Sequence, residues 1–177
     1  LIAGELIEAL SGLTWEDFIA TRILAKVGMT DSKPRHSDAT GDGNIATTHA
    51  SGDGKVQPVN PFSSDNTNPA GGINASARAT AKWLITQLDS GRVADGTRIF
   101  SRQTSAQLWR IVTPLPIGNP PPELAPLRPN FNGYALGFGV QDYRGYKLVQ
   151  HTGGLPGYVS KVAMIPELKI GVAVLTN

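Results

Sequence analysis

The sequence predicts an α+β domain, with its helices confined to the first two thirds and an antiparallel sheet in the last third. Two observations carry this prediction. Apolar residues recur at helical spacing in "LIAGELIEALSG", "TWEDFIATRILAKV" and "ARATAKWLITQLDSG", bounded by capping residues and glycines. From Tyr134 onward, alternation and turn dipeptides replace that period. The 177 residues are 40% apolar and 17% charged, a globular composition long enough for one real core. A net charge of +2 with no Lys/Arg-rich run argues against a nucleic-acid partner. No apolar run reaches the roughly 18 residues of a membrane span. The chain has no cysteine, which excludes disulfides and thiolate metal sites but does not fix a compartment.

Along the chain, Ile2, Leu6, Ile7 and Leu10 form one face of a first helix, and Gly12 is suited to end it. Thr14 reads as an N-cap with Asp17 three residues on, opening a helix over about 15–26 that presents Trp15, Phe18, Ile19 and Ile23. From Thr30 to about Ile73 the period vanishes. Asp, Asn, Ser, Gly and Pro dominate, with one small hairpin expected in "HASGDGKVQPV". Ser76 caps a third helix whose face is Ala77, Ala81, Leu84, Ile85 and Leu88. Ser101 opens a fourth, anchored by Leu108, Trp109 and Val112, and a proline-rich loop follows from Pro114 to Pro129. "YALGFGVQDY" reads as one alternating strand, turning at Arg144-Gly145 into "YKLVQH". "YVSKVAMIP" and "KIGVAVLTN" complete a meander. No internal repeat is visible.

The chemistry concentrates in "HTGG", residues 151–154. Taken alone, two glycines beside a strand fit a bend or a bulge. They also let a ligand approach backbone N–H groups, next to an imidazole and a hydroxyl, which suits a wall that holds a carbonyl. His36 and His49 lie in the polar loop without metal-ligand spacing and are expected to be solvated; no metal or other cofactor is implied. The three tryptophans and four tyrosines fit core and strand positions. Tyr158, after the glycine-rich corner, fits packing or a place facing the cleft.

The longer stretch "HTGGLPGYVSKVAMIPELKIGVAVLTN" resembles the Lys-Thr-Gly region of the serine β-lactamase and penicillin-binding-protein superfamily. It looks most like the class C β-lactamases and the related esterases and D-aminopeptidases. "GELIEALSGLTWEDFIATRILAKVGMTDS", "NPAGGINASARATAKWL" and "YALGFGVQDYRGYKLVQHTGG" resemble further family segments in the right order. The resemblance implies a β-lactamase/transpeptidase-like fold of which residues 1–177 form part of one domain. The N-terminal nucleophile segment and a C-terminal helix are expected outside the chain, which begins at Leu1 and ends on a strand at Asn177. The remainder of that domain is then the expected partner, and export to the periplasm or beyond is implied, as for many members.

The family's nucleophile lies in Ser-x-x-Lys. No serine here has lysine three residues later, and the Tyr-x-Asn motif is absent too. Thr30-Asp31-Ser32-Lys33 has the spacing with the wrong first residue. Ser64-Asp65-Asn66 spells the class A second motif, but its flanks read as a polar turn. The resemblance implies a serine hydrolase with an acyl-enzyme intermediate, acting on a small ester, amide or peptide. By the same resemblance Gly154 supplies an oxyanion donor and His151 opens the motif. Thr152, Gly153 and Tyr158 would then line the substrate side. His151 departs from the lysine usual in β-lactamases. An imidazole, with an ordinary pKa of ~6.5, is mostly uncharged at pH 7, which favours less charged substrates. The alternative is a non-catalytic fragment or binding relative.

Overall fold

The computed structural model describes residues 1–39 and 43–177. Residues 40–42, which the sequence places in the polar loop, lie outside the described residues. The chain forms two compact units. One comprises Leu1–Trp83, Gly153–Ser160 and Val174–Asn177; the other comprises Leu84–Thr152 and Lys161–Ala173.

In the first unit, α1 (Ile2–Ser11) ends at Gly12, whose φ of 70° is the left-handed conformation glycine adopts without penalty. Its apolar stripe is not buried: Ile2 is 87% exposed and Leu10 80%. The buried residue is Gly4, where a side chain would run into Pro69. Thr14 caps α2 (Trp15–Phe18) as expected, its hydroxyl accepting from the Asp17 N–H at 3.1 Å. The expected single helix then changes its winding. Residues Ile19–Leu24 are a π-helical stretch before α3 (Ala25–Val27). The Thr21 hydroxyl donates to the Asp17 carbonyl at 2.6 Å, taking an acceptor that regular winding gives to the Thr21 N–H. Trp15, Leu24, Val27 and Met29 are the buried residues here, while Phe18, Ile19 and Ile23 are half-buried.

The polar stretch carries short structure. His36–Ala39 is a 3-10 turn. β1 (His49–Gly52) and β2 (Lys55–Pro58) form the expected hairpin. Its turn residues Asp53 and Gly54 both have positive φ, the chemistry of a two-residue Asp-Gly turn. Asp65–Thr67 is a second 3-10 turn that leads into α4 (Asn68–Gly71). Asn68 is buried and donates to Glu16 Oε1 at 2.6 Å, tying α4 to α2.

Ser76 caps α5 (Ala77–Leu88), accepting from the Ala79 N–H at 3.1 Å and donating to Asp31 at 2.6 Å. Its buried positions are Ala79, Leu84, Thr86 and Gln87, so the expected face is rotated; Ala77, Ala81 and Ile85 are exposed.

In the second unit, Ser101 caps α6 (Arg102–Leu108), and Trp109 is buried just beyond it. Val112, expected as an anchor, is 64% exposed. The proline-rich loop contains a 3-10 segment over Pro122–Leu127. β3 (Thr113–Pro114) pairs with β4 (Asn132–Tyr134), and β4 with β5 (Gly139–Tyr143), both antiparallel. The stretch expected as one strand from Tyr134 to Tyr143 is therefore the end of one strand and all of the next. Gly137, at φ 81°, makes the bend, and the Ala135 N–H bonds the Phe138 carbonyl at 2.7 Å. Arg144 and Gly145, both at positive φ, turn β5 into β6 (Tyr146–Leu155) as expected. β7 (Tyr158–Ile165) and β8 (Ile170–Thr176) follow, and the six strands lie in the order β3-β4-β5-β6-β7-β8.

Asp142 of β5 fixes the start of β4. Its carboxylate accepts from the Asn130 N–H, from Asn130 Nδ2 at 2.8 Å and from the Phe131 N–H at 3.1 Å. Burial pushes this carboxyl's pKa up, but the Asn130 side chain and the Phe131 and Asn130 N–H groups favour the charged form, and the net shift is downward. A folded-state value below the unfolded one contributes stability at pH above the ordinary aspartate value of ~3.9, and this is lost as pH falls through the folded value. We expect the thermal midpoint of the full-length protein to drop as pH is lowered through that range. Asp142→Ala should lower the midpoint at pH 7 and flatten the acid-side drop; an equally steep drop in the variant would contradict this role.

Candidate active site

The site begins with a mismatch of strand lengths. β5 has five residues and β6 has ten. Their pairing runs from Tyr143 opposite Tyr146 to Gly139 opposite Gln150 and stops there. Residues 151–155 of β6 extend past the end of β5, and all five are exposed. The sequence motif occupies this overhang, so alternate residues of His151–Gly154 turn their main-chain N–H and C=O groups to the side where β5 has ended, and the others turn theirs toward β7. Although β6 lies inside the sheet order, this part of it is locally an edge.

His151 is held from across the sheet. The Tyr134 hydroxyl lies 3.0 Å from His151 Nε2, with the two rings edge to face at 6.2 Å between centroids. From the sequence, Tyr134 reads as a strand residue with no role in the chemistry. The signal lay in the pairing, which a linear reading does not supply. Tyr134 is in register with Gly139, and Gly139 with Gln150, the neighbour of His151. The intervening position carries no side chain.

The two glycines have different surroundings. A side chain at Gly153 would run into the Ser160 hydroxyl. Among the described residues, nothing lies within 4 Å of the space a side chain at Gly154 would occupy. Gly153 thus answers to packing within the protein, whereas Gly154 faces open space that a ligand can enter.

The turn beyond the motif is Pro156-Gly157. Gly157 has φ 80°, and a side chain there would come within 2.5 Å of Thr48 Cβ. Proline followed by a left-handed glycine suits the two central positions of a tight turn. The hydroxyl of Tyr158, which is half-buried, donates to the Ala46 carbonyl. That leaves the ring, not the hydroxyl, as what Tyr158 has to offer a substrate.

The other sequence candidates are placed elsewhere. Ser64-Asp65-Asn66 enters the second 3-10 turn, where the Ser64 carbonyl accepts from the Thr67 N–H and hydroxyl. His36 and His49, expected to be solvated, are both half-buried, and His49 Nδ1 lies 3.4 Å from Asn177 Nδ2. A shallow depression of about 360 Å³ beside Pro120, Leu124, Leu127, Arg128 and Pro129 contains none of the motif residues. Among the described residues no group of three histidines or carboxylates is placed to hold a metal ion.

Comparison with known proteins agrees with this architecture. The family model described as Beta-lactamase matches residues 1–177. An unguisins hydrolase of Aspergillus campestris is 27% identical over 180 residues, which cover 100% of this chain and 31% of that protein. The octameric penicillin-binding protein homologue from Pyrococcus abyssi superimposes with a TM-score of 0.79 at 26% identity, covering 98% of this chain and 36% of that one. A D-stereospecific amidohydrolase from Streptomyces sp. shares the fold at a TM-score of 0.74 and 17% identity, covering 99% of this chain and 47% of that one. The chain spans 31% to 45% of the length of the curated relatives it matches.

The glycine contacts give a stability test. Gly154→Ala should leave the protein as stable or more so, by about 0.4–1 kcal/mol, because it removes unfolded-state freedom and meets nothing. Gly153→Ala should destabilise, because the Ser160 hydroxyl has to move. Denaturant midpoints measure both, and the reverse ranking would contradict the geometry. Gly157→Ala should be the most damaging of the three, costing about 1–3 kcal/mol for its positive φ alone.

Proposed function

The chain belongs to the β-lactamase family, and from that premise we propose that the full-length protein is a serine hydrolase. It acts through an acyl-serine intermediate on an ester or amide of modest charge. The observation that carries the reading is the overhang of β6, with Gly154 facing open space in an exposed strand. A substrate carbonyl lying along such a strand meets main-chain N–H groups that need no reorganisation as charge develops.

In this reading the nucleophilic serine and its lysine lie outside these 177 residues, where no serine precedes a lysine by three positions. The Gly154 N–H is the second oxyanion donor, beside the N–H of the nucleophile. Losing one such donor typically costs ~3 kcal/mol of transition-state stabilisation. Thr152 and the Tyr158 ring line the substrate side, and Gly153 keeps the strand flat against β7. His151 supplies a hydrogen-bonding group where a lysine would supply a fixed cation. This supports an esterase or amidase more than an enzyme selecting carboxylate-bearing β-lactams. The hydrolase and amidohydrolase named among the similar proteins agree with an acyl-transfer reading. A second reading is a non-catalytic binding relative, which a full-length sequence without Ser-x-x-Lys and Tyr-x-Asn would favour.

The test is a substrate comparison with the full-length protein. We expect measurable hydrolysis of a short-chain p-nitrophenyl ester and feeble hydrolysis of a cephalosporin. His151→Lys should move the ratio toward the cephalosporin by roughly tenfold, the size of one partly screened charge contact. Faster cephalosporin cleavage by the unmodified protein would overturn the substrate assignment. Turnover of neither substrate would favour the non-catalytic reading.

A further inference from the structure

We propose that Tyr134 is a positioning residue that sets which edge of the His151 ring faces the reaction. The proposal rests on the reading of His151 as part of the site, but its first test does not depend on activity. Tyr134 Oη lies 3.0 Å from Nε2, within hydrogen-bond distance. Among the described residues, Nδ1 of the same ring has no hydrogen-bond partner. One nitrogen is therefore engaged within these residues, and the other is open to a substrate or to the rest of the full-length protein.

The direction of the bond follows from the chemistry of the two groups. The bare nitrogen of a neutral imidazole is a stronger acceptor than a phenol oxygen, and the phenol has a proton to give. The Tyr134 O–H therefore donates to Nε2, and the ring proton resides on Nδ1. The neutral ring then presents its Nδ1–H as a donor from an exposed strand. The hydroxyl can also accept, so when the ring is protonated the Nε2–H donates back and the orientation is kept. Three features place the hydroxyl there. Tyr134 closes β4, whose start is fixed by the Asp142 carboxylate. β5 begins at Gly139, which puts no side chain in that row. The ring also packs edge to face against the imidazole. A bond between two exposed groups would be weak alone; this packing restricts both partners before the bond forms.

The experiment is nitrogen NMR on full-length protein labelled with ¹⁵N at histidine, at a pH where the ring is neutral. In the unmodified protein, His151 should show its proton on Nδ1. Tyr134→Phe keeps the ring and removes the hydroxyl, and should shift the population toward the Nε2–H tautomer. A proton already on Nε2 in the unmodified protein overturns the proposal, and so does a tautomer that ignores Tyr134→Phe. The first of these outcomes needs no variant and stands even if the variant folds poorly. In ester hydrolysis, Tyr134→Phe should lower kcat by about three- to tenfold, the worth of one net hydrogen bond, with little change in KM. That loss should vanish when His151 is already alanine. An equal loss in both backgrounds would show that Tyr134 acts elsewhere and overturn the proposal. A tautomer response without any hydrolysis would support the Tyr134 assignment and sink the proposed function instead.

Discussion

The arrangement of this site depends on where β5 begins. Because β5 starts at Gly139, its pairing with β6 ends at Gln150, and the next five residues of β6 are not paired with β5. An unpaired strand edge is a hazard in most proteins because its N–H and C=O groups seek partners. Here the exposed groups belong to residues with little or no bulk at the important positions. Starting β5 one pair earlier would set a strand against His151 and displace the Tyr134 hydroxyl. The bend at Gly137, which separates β4 from β5, is therefore as consequential for the site as the motif itself.

The far end of the overhang is fixed by the polar stretch that looked structureless in sequence. Gly157 sits against Thr48, the Tyr158 hydroxyl takes the Ala46 carbonyl, and the Asn177 side chain takes the Thr47 carbonyl at 2.7 Å. Thr48 is buried, and it exchanges hydrogen bonds with Val59 through its carbonyl and its hydroxyl. Each main-chain group in this loop that meets a side chain is thereby satisfied without regular structure. Long polar loops in compact domains are commonly held this way, by tertiary bonds instead of local periodicity.

Local signals were legible in the sequence and long-range ones were not. Thr14, Ser76 and Ser101 act as caps, and Asp53-Gly54 and Arg144-Gly145 act as turns, because each depends on the chemistry of one or two residues. Helix faces were less secure. The stripe of α1 is exposed and that of α5 is rotated, because period alone does not say which side a neighbour covers. The π-helical winding at Ile19–Leu24 leaves no trace in apolar spacing. For the candidate site, His151 to Gly154 were proposed from the motif, whereas Tyr134 was not. Its partner is 17 residues away and reached only through two strand registers.

In the proposed reading, the strand 151–154 donates main-chain N–H groups to a substrate carbonyl, and the nucleophile comes from elsewhere in the full-length protein. The most direct test is to treat the full-length protein with a fluorophosphonate and map the adduct by peptide mass spectrometry. The account predicts one labelled serine, outside residues 1–177 and followed three positions later by lysine. A label on Ser64, or on any other serine of these 177 residues, would contradict it, and so would a full-length protein that takes no label.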